Sequence, residues 1–300
     1  RILVKYFANN EGGHVTDVGD YVRALKRRHS DKALAATCTE QDLLAIAPPS
    51  VLARKFARNP KGKAVGPAGL PGELFRVAPL RLARIFAPLI LKAELFSCEP
   101  FHWKGGFLAK LRKHNKPHYQ AQGWRAILVS DDVGKRVHSA GRDELIDPFC
   151  AYSPNNQFGS KPGMGADMAS HTMRLVQRRG ELTGHSTCII FAGLVAAFYS
   201  MRRDLCFAVP DTTEGLAAVY QRMGFTPDDF QQLQQALDTQ PTAFEAASIP
   251  APLHRKVAEA HADTWFILSG TKQFVVTHTG SRPGDPYGDI VFGFAFARIY

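Results

Sequence analysis

Residues 187–200 read TCIIFAGLVAAFYS, and this stretch says more about the fold than any other part of the sequence. Its first nine residues, 187–195, are nearly all apolar, and several of them are β-branched. A short, continuous apolar run of this kind is typical of a strand that is buried on both faces. The sequence therefore predicts a buried central strand at 187–195, followed closely by the aromatic residues Phe198 and Tyr199.

The segments around this strand predict a protein of mixed α and β structure. Apolar periodicity and capping residues predict helices at 17–30, 40–57 (interrupted by Pro48 and Pro49), 74–96, 134–145, 165–178, 213–223, 227–237 and from 287 onward. Strands are predicted at 106–111 and 124–129, a β-hairpin at 264–268 and 273–278, and loops at 59–72 and 280–286. Because helices and strands do not alternate regularly, the predicted fold class is α+β, with many helices around a small antiparallel sheet.

The positive charge of the chain is concentrated in its first half. The formal net charge is +10, and residues 1–150 hold 25 Lys and Arg against 14 Asp and Glu, whereas residues 151–300 hold 12 against 13. The charge is densest between Lys104 and Arg142, where nine basic residues meet only Asp131 and Asp132. Such a block is either a solvated face or the footprint of a polyanionic partner, and composition leaves both open.

The cysteines indicate a reducing compartment. The five cysteines are scattered and form no C-x-x-C pair, and the eleven histidines form no H-E-x-x-H motif. This pattern argues against a disulfide framework and a structural metal, and predicts an intracellular protein, in the nucleus or the cytoplasm. The longest apolar stretches are too short to cross a bilayer of roughly 30 Å, so no membrane partner is expected. The chain opens on Arg1 and closes on an apolar segment, which indicates an excerpt of a longer protein.

Five sequence blocks occur in an order that resembles a known family. They are GPAGLPGE (66–73), WKGGFLAKLRK with WRAILVSDDVGK (103–113 and 124–135), QFGSKPGMG (157–165), FAGLVAAFYS (191–200) and GSRPGDP (280–286). In this order and at these separations they resemble the reverse transcriptase domain of non-LTR (LINE-type) retrotransposons. The resemblance implies part of a right-hand polymerase fold: a helical lead-in at 1–65, a fingers region at 66–185 and the first part of the palm at 186–300.

The same resemblance implies an activity and its partners. The family adds deoxynucleotides to a DNA primer on an RNA template, from deoxynucleoside triphosphates and with Mg²⁺ in a two-metal mechanism. Lys110, Arg112, Lys113 and Arg125 would lie on the fingers hairpin and hold the triphosphate, unless they form a solvated basic surface. Phe198 would lie under the sugar and exclude a 2′-hydroxyl, unless it is a core aromatic.

The 280–286 loop completes the site that the resemblance implies. Gly284 would let the backbone approach the template or the primer terminus, and Arg282 beside it could contact phosphate. An ordinary Gly-Pro turn is the alternative interpretation of this loop.

The sequence departs from the family where catalysis requires a carboxylate. Gly193 occupies the position of the metal-binding Asp, and the paired Asp residues expected after the last helix are absent from the 300 residues. Ala68, Met164 and Pro283 also replace polar residues of the family pattern. No catalytic residue is therefore intact and no metal ligand is assigned. We expect an inactive reverse transcriptase fragment, with a non-catalytic nucleic-acid-binding remnant, or a product without function, as the alternatives.

Overall fold

The computed structural model describes residues 2–36, 38–194, 196–207 and 226–299. Its α-helices are α1 Ile2–Asn10, α2 Val18–Ala35, α3 Glu40–Leu44, α4 Pro49–Ala57, α5 Leu74–Val77, α6 Pro79–Leu95, α7 Asp132–Tyr152, α8 Ala166–Thr183, α9 Ala197–Ser200, α10 Pro227–Asp238, α11 Ala243–Ala246, α12 Ala251–His261 and α13 Gly288–Ile299. Its strands are β1 His14–Thr16, β2 Gly105–Arg112, β3 Trp124–Ser130, β4 Thr264–Leu268 and β5 Phe274–Thr277. The predicted helix at 213–223 lies outside the described residues.

One five-stranded sheet organises the fold. Its strand order is β1-β5-β4-β2-β3, with β3 at one edge. The pairs β1–β5, β4–β5 and β2–β3 are antiparallel, but β2 runs parallel to β4. The α+β class is thus confirmed, and the small sheet is antiparallel as predicted except at the β2–β4 pair. The parallel pair arises because β2 and β4 are separated by more than 150 residues and are joined by helices, which can return the chain in either direction.

Helices cover both faces of this sheet. On one face α1 packs Val4 and Phe7 against the side chains of Leu108 and Leu128. On the other face α2 places Tyr21 and Leu25 on the β4–β5 hairpin. The sheet therefore joins strands or helices from all three predicted regions, 1–65, 66–185 and 186–300, into one layered body.

Two helical cores flank the sheet. In the first, α7 packs against α12 and α13 through residues such as Phe149, Val257 and Phe294. In the second, α4, α5 and α6 pack against Trp103 and the start of α7. Helix α7 belongs to both cores, and because it begins directly after β3 it fixes the helices relative to the sheet.

Local sequence signals account for most helix boundaries. Asp17 caps α2 and Asp131 caps α7, each accepting hydrogen bonds from two backbone N–H groups of the first turn. The interruption expected at Pro48 and Pro49 separates α3 from α4. The single helix predicted at 74–96 is instead two helices, α5 and α6. Pro79 keeps the preceding Ala78 out of the helical region, and Ala78 adopts φ −142° and ψ 65°.

The predicted central strand at 187–195 is wrong for the residues that the structure describes. Residues 187–194 form no strand, and Ile190 and Phe191 are 86% and 84% exposed. A strand needs a neighbour that pairs with its backbone. The free edge of β3 is already occupied, because the hydroxyl of Tyr199 hydrogen-bonds the backbone of Ala126 and the N–H of Leu128 donates to Pro283 O at 3.0 Å. Val195 lies outside the described residues.

Among the described residues, no helix is both long enough and apolar enough to cross a membrane.

Candidate functional site

A cleft of about 610 Å³ lies beside the edge strand β3. One wall is formed by Ile127 and Val129 of β3 and by the first turns of α7. The loop before α5 and the turn that leads into α13 form the opposite side, and Phe198 closes one end. The cleft therefore brings together segments that are far apart in the sequence, including parts of three of the five blocks quoted above.

Phe198 faces this cleft while packing on the body of the protein. Its ring is 38% exposed and its centroid lies 4.6 Å from that of Phe292 on α13. Its carbonyl accepts a hydrogen bond from Ser281 N at 2.7 Å, and burial raises the pKa of the neighbouring Tyr199 to about 12. The short helix α9 is thus held between β3 and the 280–286 loop, with one aromatic ring presented to the cleft.

Gly284 also lines the cleft, but its close backbone approach is to β3. Its φ is +110°, and a Cβ at this position would lie 2.4 Å from Leu128 O. The adjacent Pro283 carbonyl accepts the hydrogen bond from Leu128 N. Glycine is required here because the loop docks against the edge of the sheet, a demand that is independent of any bound template or primer.

Arg282 does not line the cleft. It is 4% exposed, and its guanidinium donates to Ala260 O and to Trp103 O, the latter at 2.8 Å. Its side chain thus ties the 280–286 loop to α12 and to the segment before β2. The sequence suggested a phosphate contact for this residue, whereas the structure gives it three buried anchors instead, including Asp285 at 3.6 Å.

The four hairpin cations are not one cluster. Leu111 pairs with Arg125, and on β3 Arg125 shares its face with Ile127 and Val129, which line the cleft. Lys110 and Arg112 alternate with Leu111 and therefore lie on the opposite face, which carries the α1 core. Lys113 lies beyond the paired residues of the hairpin, and its backbone N–H donates to Gly123 O at 2.9 Å. Only Arg125 is on the cleft face of the sheet.

Gly193 lies in the exposed stretch after α8, with no atom within 4 Å of the position that a Cβ would take. The residues present do not fit the Mg²⁺ site of the resembled family. Within the described residues, no group of three or more His, Cys, Asp or Glu side chains could hold a metal ion. Two cleft carboxylates are bound to cations: Asp289 to Arg142 at 2.6 Å and Asp285 to His138 at 2.8 Å.

The cleft contains three cations to which the sequence assigned no function. They are Lys63, from the exposed loop before α5, and Lys135 and Arg136, from the first turns of α7. Burial lowers the pKa of both Lys135 and Arg136, with Asp132 opposing the shift. Both residues belong to the basic block between Lys104 and Arg142, but only the packing of α7 on β3 shows that they face a cavity.

A buried histidine bridges two carboxylates behind the cleft. Nδ1 of His138 lies 2.8 Å from Asp285 and Nε2 lies 2.9 Å from Glu99, and all three side chains are buried. Burial opposes a charge on the ring, but the two carboxylates outweigh it and raise the pKa of His138 to about 9. With both ring nitrogens protonated, His138 donates to each carboxylate and so fixes the 280–286 loop to α7.

The comparisons with known proteins leave the family open. No protein-family model matches the chain, and no curated protein matches it. The five blocks and the cleft therefore carry the functional argument.

Proposed function

We propose that the chain is a partial, degenerate reverse transcriptase domain of the non-LTR retrotransposon type, which binds nucleic acid in the cleft beside β3 without polymerising nucleotides. One observation carries the proposal: Phe198 and Gly284, from two different blocks, line one cleft, and Arg125, from a third block, lies on the same face of β3 as the lining residue Ile127. This convergence is the arrangement that a polymerase-derived site requires.

The chemistry of the cleft suits a partner that is rich in phosphate. Arg125 presents a guanidinium on the cleft face, and Arg can bind two phosphate oxygens at once. The exposed part of the Phe198 ring offers a surface for a sugar or a base. In this proposal the partners are an RNA template with a DNA primer and, with the sugar against Phe198, a deoxynucleoside triphosphate.

Catalysis is not part of the proposal. The two-metal mechanism of the family needs carboxylates on the palm strand, and Gly193 supplies none. Asp285 and Asp289, the acidic residues nearest to the 280–286 loop in sequence, are committed to His138 and Arg142. The chain is therefore proposed to be a pseudoenzyme that retains the binding function of the domain.

The test is binding of an RNA–DNA primer–template, followed by fluorescence anisotropy. Because binding of phosphates releases counterions, we expect log K to fall with log salt at a slope of roughly −3, for three or four phosphate contacts. Arg125→Gln should reduce the magnitude of this slope by about one, whereas Lys110→Gln, on the opposite face of β2, should leave it unchanged. No primer extension is expected with Mg²⁺ and deoxynucleoside triphosphates.

Three results would contradict the proposal. Binding that is absent at low salt, or that does not change with salt, would remove the nucleic-acid partner. A loss of binding in Lys110→Gln that equals or exceeds the loss in Arg125→Gln would move the interface to the other face of the sheet. Primer extension by the purified chain would contradict the loss of catalysis.

A further inference from the structure

Lys63, Lys135 and Arg136 converge on the cleft from two separate segments. Lys63 comes from the loop before α5, and Lys135 and Arg136 are neighbours on α7, directly behind the wall formed by β3. The N-terminus of α7 does not itself attract the ligand, because Asp131 Oδ1 accepts from Val133 N at 2.9 Å and from Gly134 N at 3.3 Å. The site is thus made of side-chain charges.

These cations lack the ion pairs that partly buried charges normally have. In the ranges that the structure describes, neither Lys135 nor Arg136 forms a salt bridge, and Nε of Arg136 is buried without a hydrogen-bond partner. Of the carboxylates that line the cleft, Asp289 is paired with Arg142 and Asp285 with His138. Asp132 acts on both cations through space, but it forms no salt bridge with either in this part of the chain.

An unpaired cation that is partly removed from water is unfavourable unless a ligand supplies the anion. Burial lowers the pKa of Lys135, as expected for a cation that is partly removed from water and has no salt-bridge partner among the described residues. The cleft of about 610 Å³ has room for a ligand of nucleotide size. Phe198, which lines the same cleft, provides an aromatic surface for the rest of such a ligand.

We infer that Lys63, Lys135 and Arg136 form a subsite for the phosphate groups of a nucleotide. The inference rests on the proposed function and deepens it, because it adds a phosphate-binding position at α7 and the loop before α5 to the one proposed for Arg125 on β3. The phosphates come either from a free deoxynucleoside triphosphate or from the backbone of a bound strand, and the chemistry of the subsite is the same for both.

The experiment measures three probes against matched variants. Calorimetry follows tripolyphosphate and dATP, and anisotropy follows the RNA–DNA primer–template. The double variant Lys135→Gln/Arg136→Gln removes two neighbouring charges from the cleft. The control, Lys26→Gln/Arg27→Gln, removes two neighbouring exposed charges from α2. Lys63→Gln changes an exposed loop residue and keeps the test valid if the α7 variant does not fold.

We expect the α7 variant to weaken phosphate binding by about tenfold or more, Lys63→Gln by about threefold, and the control by less than about twofold. Losses with tripolyphosphate and dATP identify a free triphosphate as the ligand, and a loss confined to the primer–template identifies the strand backbone. The inference is overturned if all three probes bind the α7 and Lys63 variants as tightly as the wild type. It is also overturned if the wild type binds none of the probes.

The outcome separates the inference from the proposed function. If the wild type binds the primer–template with a steep salt dependence, and these variants alter the binding of none of the three probes, the proposed function stands and the subsite is wrong. If the wild type binds tripolyphosphate through these residues but binds no nucleic acid, the anion subsite stands and the proposed function fails.

Discussion

The body of the protein and its exposed segment, residues 166–194, differ sharply in how their side chains are used. In the body, even charged groups are buried and paired: the Lys104 side chain is fully buried and lies 2.6 Å from Glu259. In the exposed segment only Gly180 is buried, and apolar residues such as Leu182 and Phe191 are 72% and 84% exposed. The apolar run at 187–194 has the composition of a buried strand, so its exposure comes from the lack of a packing partner in the described part of the chain and not from its composition.

The contrast shows what a sequence motif does and does not specify. The β2–β3 hairpin supplies its own partner, because each strand satisfies the backbone of the other. The run at 187–195 has the composition of a strand, but the edge of β3 is already occupied by Tyr199 and Pro283. Composition therefore predicts the capacity to form a strand, and the strand itself depends on a neighbour.

The largest expected effect is on the free energy of unfolding, when a buried glutamate that pairs with basic residues is removed and compared with an exposed one. Glu259 is buried and contacts Lys104, Lys32 and Arg28 at 2.6–2.8 Å. We expect Glu259→Ala to lower the free energy of unfolding by about 3–5 kcal/mol, because it leaves the Lys104 ammonium buried without a counterion. The matched change Glu181→Ala in α8 breaks an exposed pair with Arg178 and should cost no more than about 0.5 kcal/mol.

Urea unfolding followed by circular dichroism measures both changes. Equal costs for the two variants would contradict the difference between body and exposed segment. A cost for Glu259→Ala below about 1 kcal/mol would show that Lys104 is hydrated or neutral in the folded protein.

The next effect concerns the histidine that fixes the 280–286 loop. The pKa of His138 is raised from 6.5 to about 9, so its protonated form stabilises the folded state fully below about pH 6.5. This stabilisation is lost as the pH rises through about 9. A shift of this size corresponds to about 3 kcal/mol. The stability advantage of the wild type over His138→Gln should therefore fall by about that amount between about pH 6 and pH 10.

The difference in stability between the wild type and His138→Gln, followed against pH, separates the titration of His138 from that of groups unaffected by the substitution. Burial also raises the pKa of Glu11 to about 8, which makes stability fall with pH, but Glu11 is present in both proteins. Glu99 and Asp285, the two carboxylates that face the ring, are also present in both proteins. An advantage that stays constant over this range of pH would show that His138 is neutral in the folded protein.

Much of the local structure is predictable from the sequence, and the long-range pairs are not. Both hairpin strands and the β4–β5 hairpin were predicted close to their observed bounds, because alternating apolar residues and turn residues are local signals. The contacts of His138 with Glu99 and Asp285 join residues 39 and 147 positions apart. No local pattern marks such pairs, so the sequence assigned none of these three residues a function.

The candidate site shows the same division between local features, which the sequence predicts, and long-range packing, which it does not. The blocks indicated Phe198 and Gly284, and both line the cleft. The hairpin cations could not be sorted from the sequence alone, because a change of register by one residue exchanges the two faces of a strand. Lys135 and Arg136 could not be assigned either, since their place in the cleft depends on how α7 packs against β3.

A smaller effect separates two glycines that differ in the space around them. In Gly284→Ala the new Cβ would meet Leu128 O at 2.4 Å in a left-handed backbone conformation, so we expect a cost of about 1–3 kcal/mol. Gly159 precedes the exposed segment and has open space around it, so Gly159→Ala should change stability by no more than about 0.5 kcal/mol. Thermal unfolding of the two variants measures the difference, and equal costs would show that the loop does not dock on β3.

The smallest expected effect is at Phe191, within the run that the sequence predicts to be buried. Its side chain is 84% exposed, so Phe191→Ser should change the free energy of unfolding by no more than about 0.5 kcal/mol. Phe207 is fully buried against Phe244, with ring centroids 5.4 Å apart, and Phe207→Ser should cost about 3–5 kcal/mol. Urea unfolding compares the two variants directly. A cost above about 1.5 kcal/mol at Phe191 would mean that residues 187–194 are packed in solution. That result would restore the buried strand of the sequence prediction and would remove the contrast between the two regions.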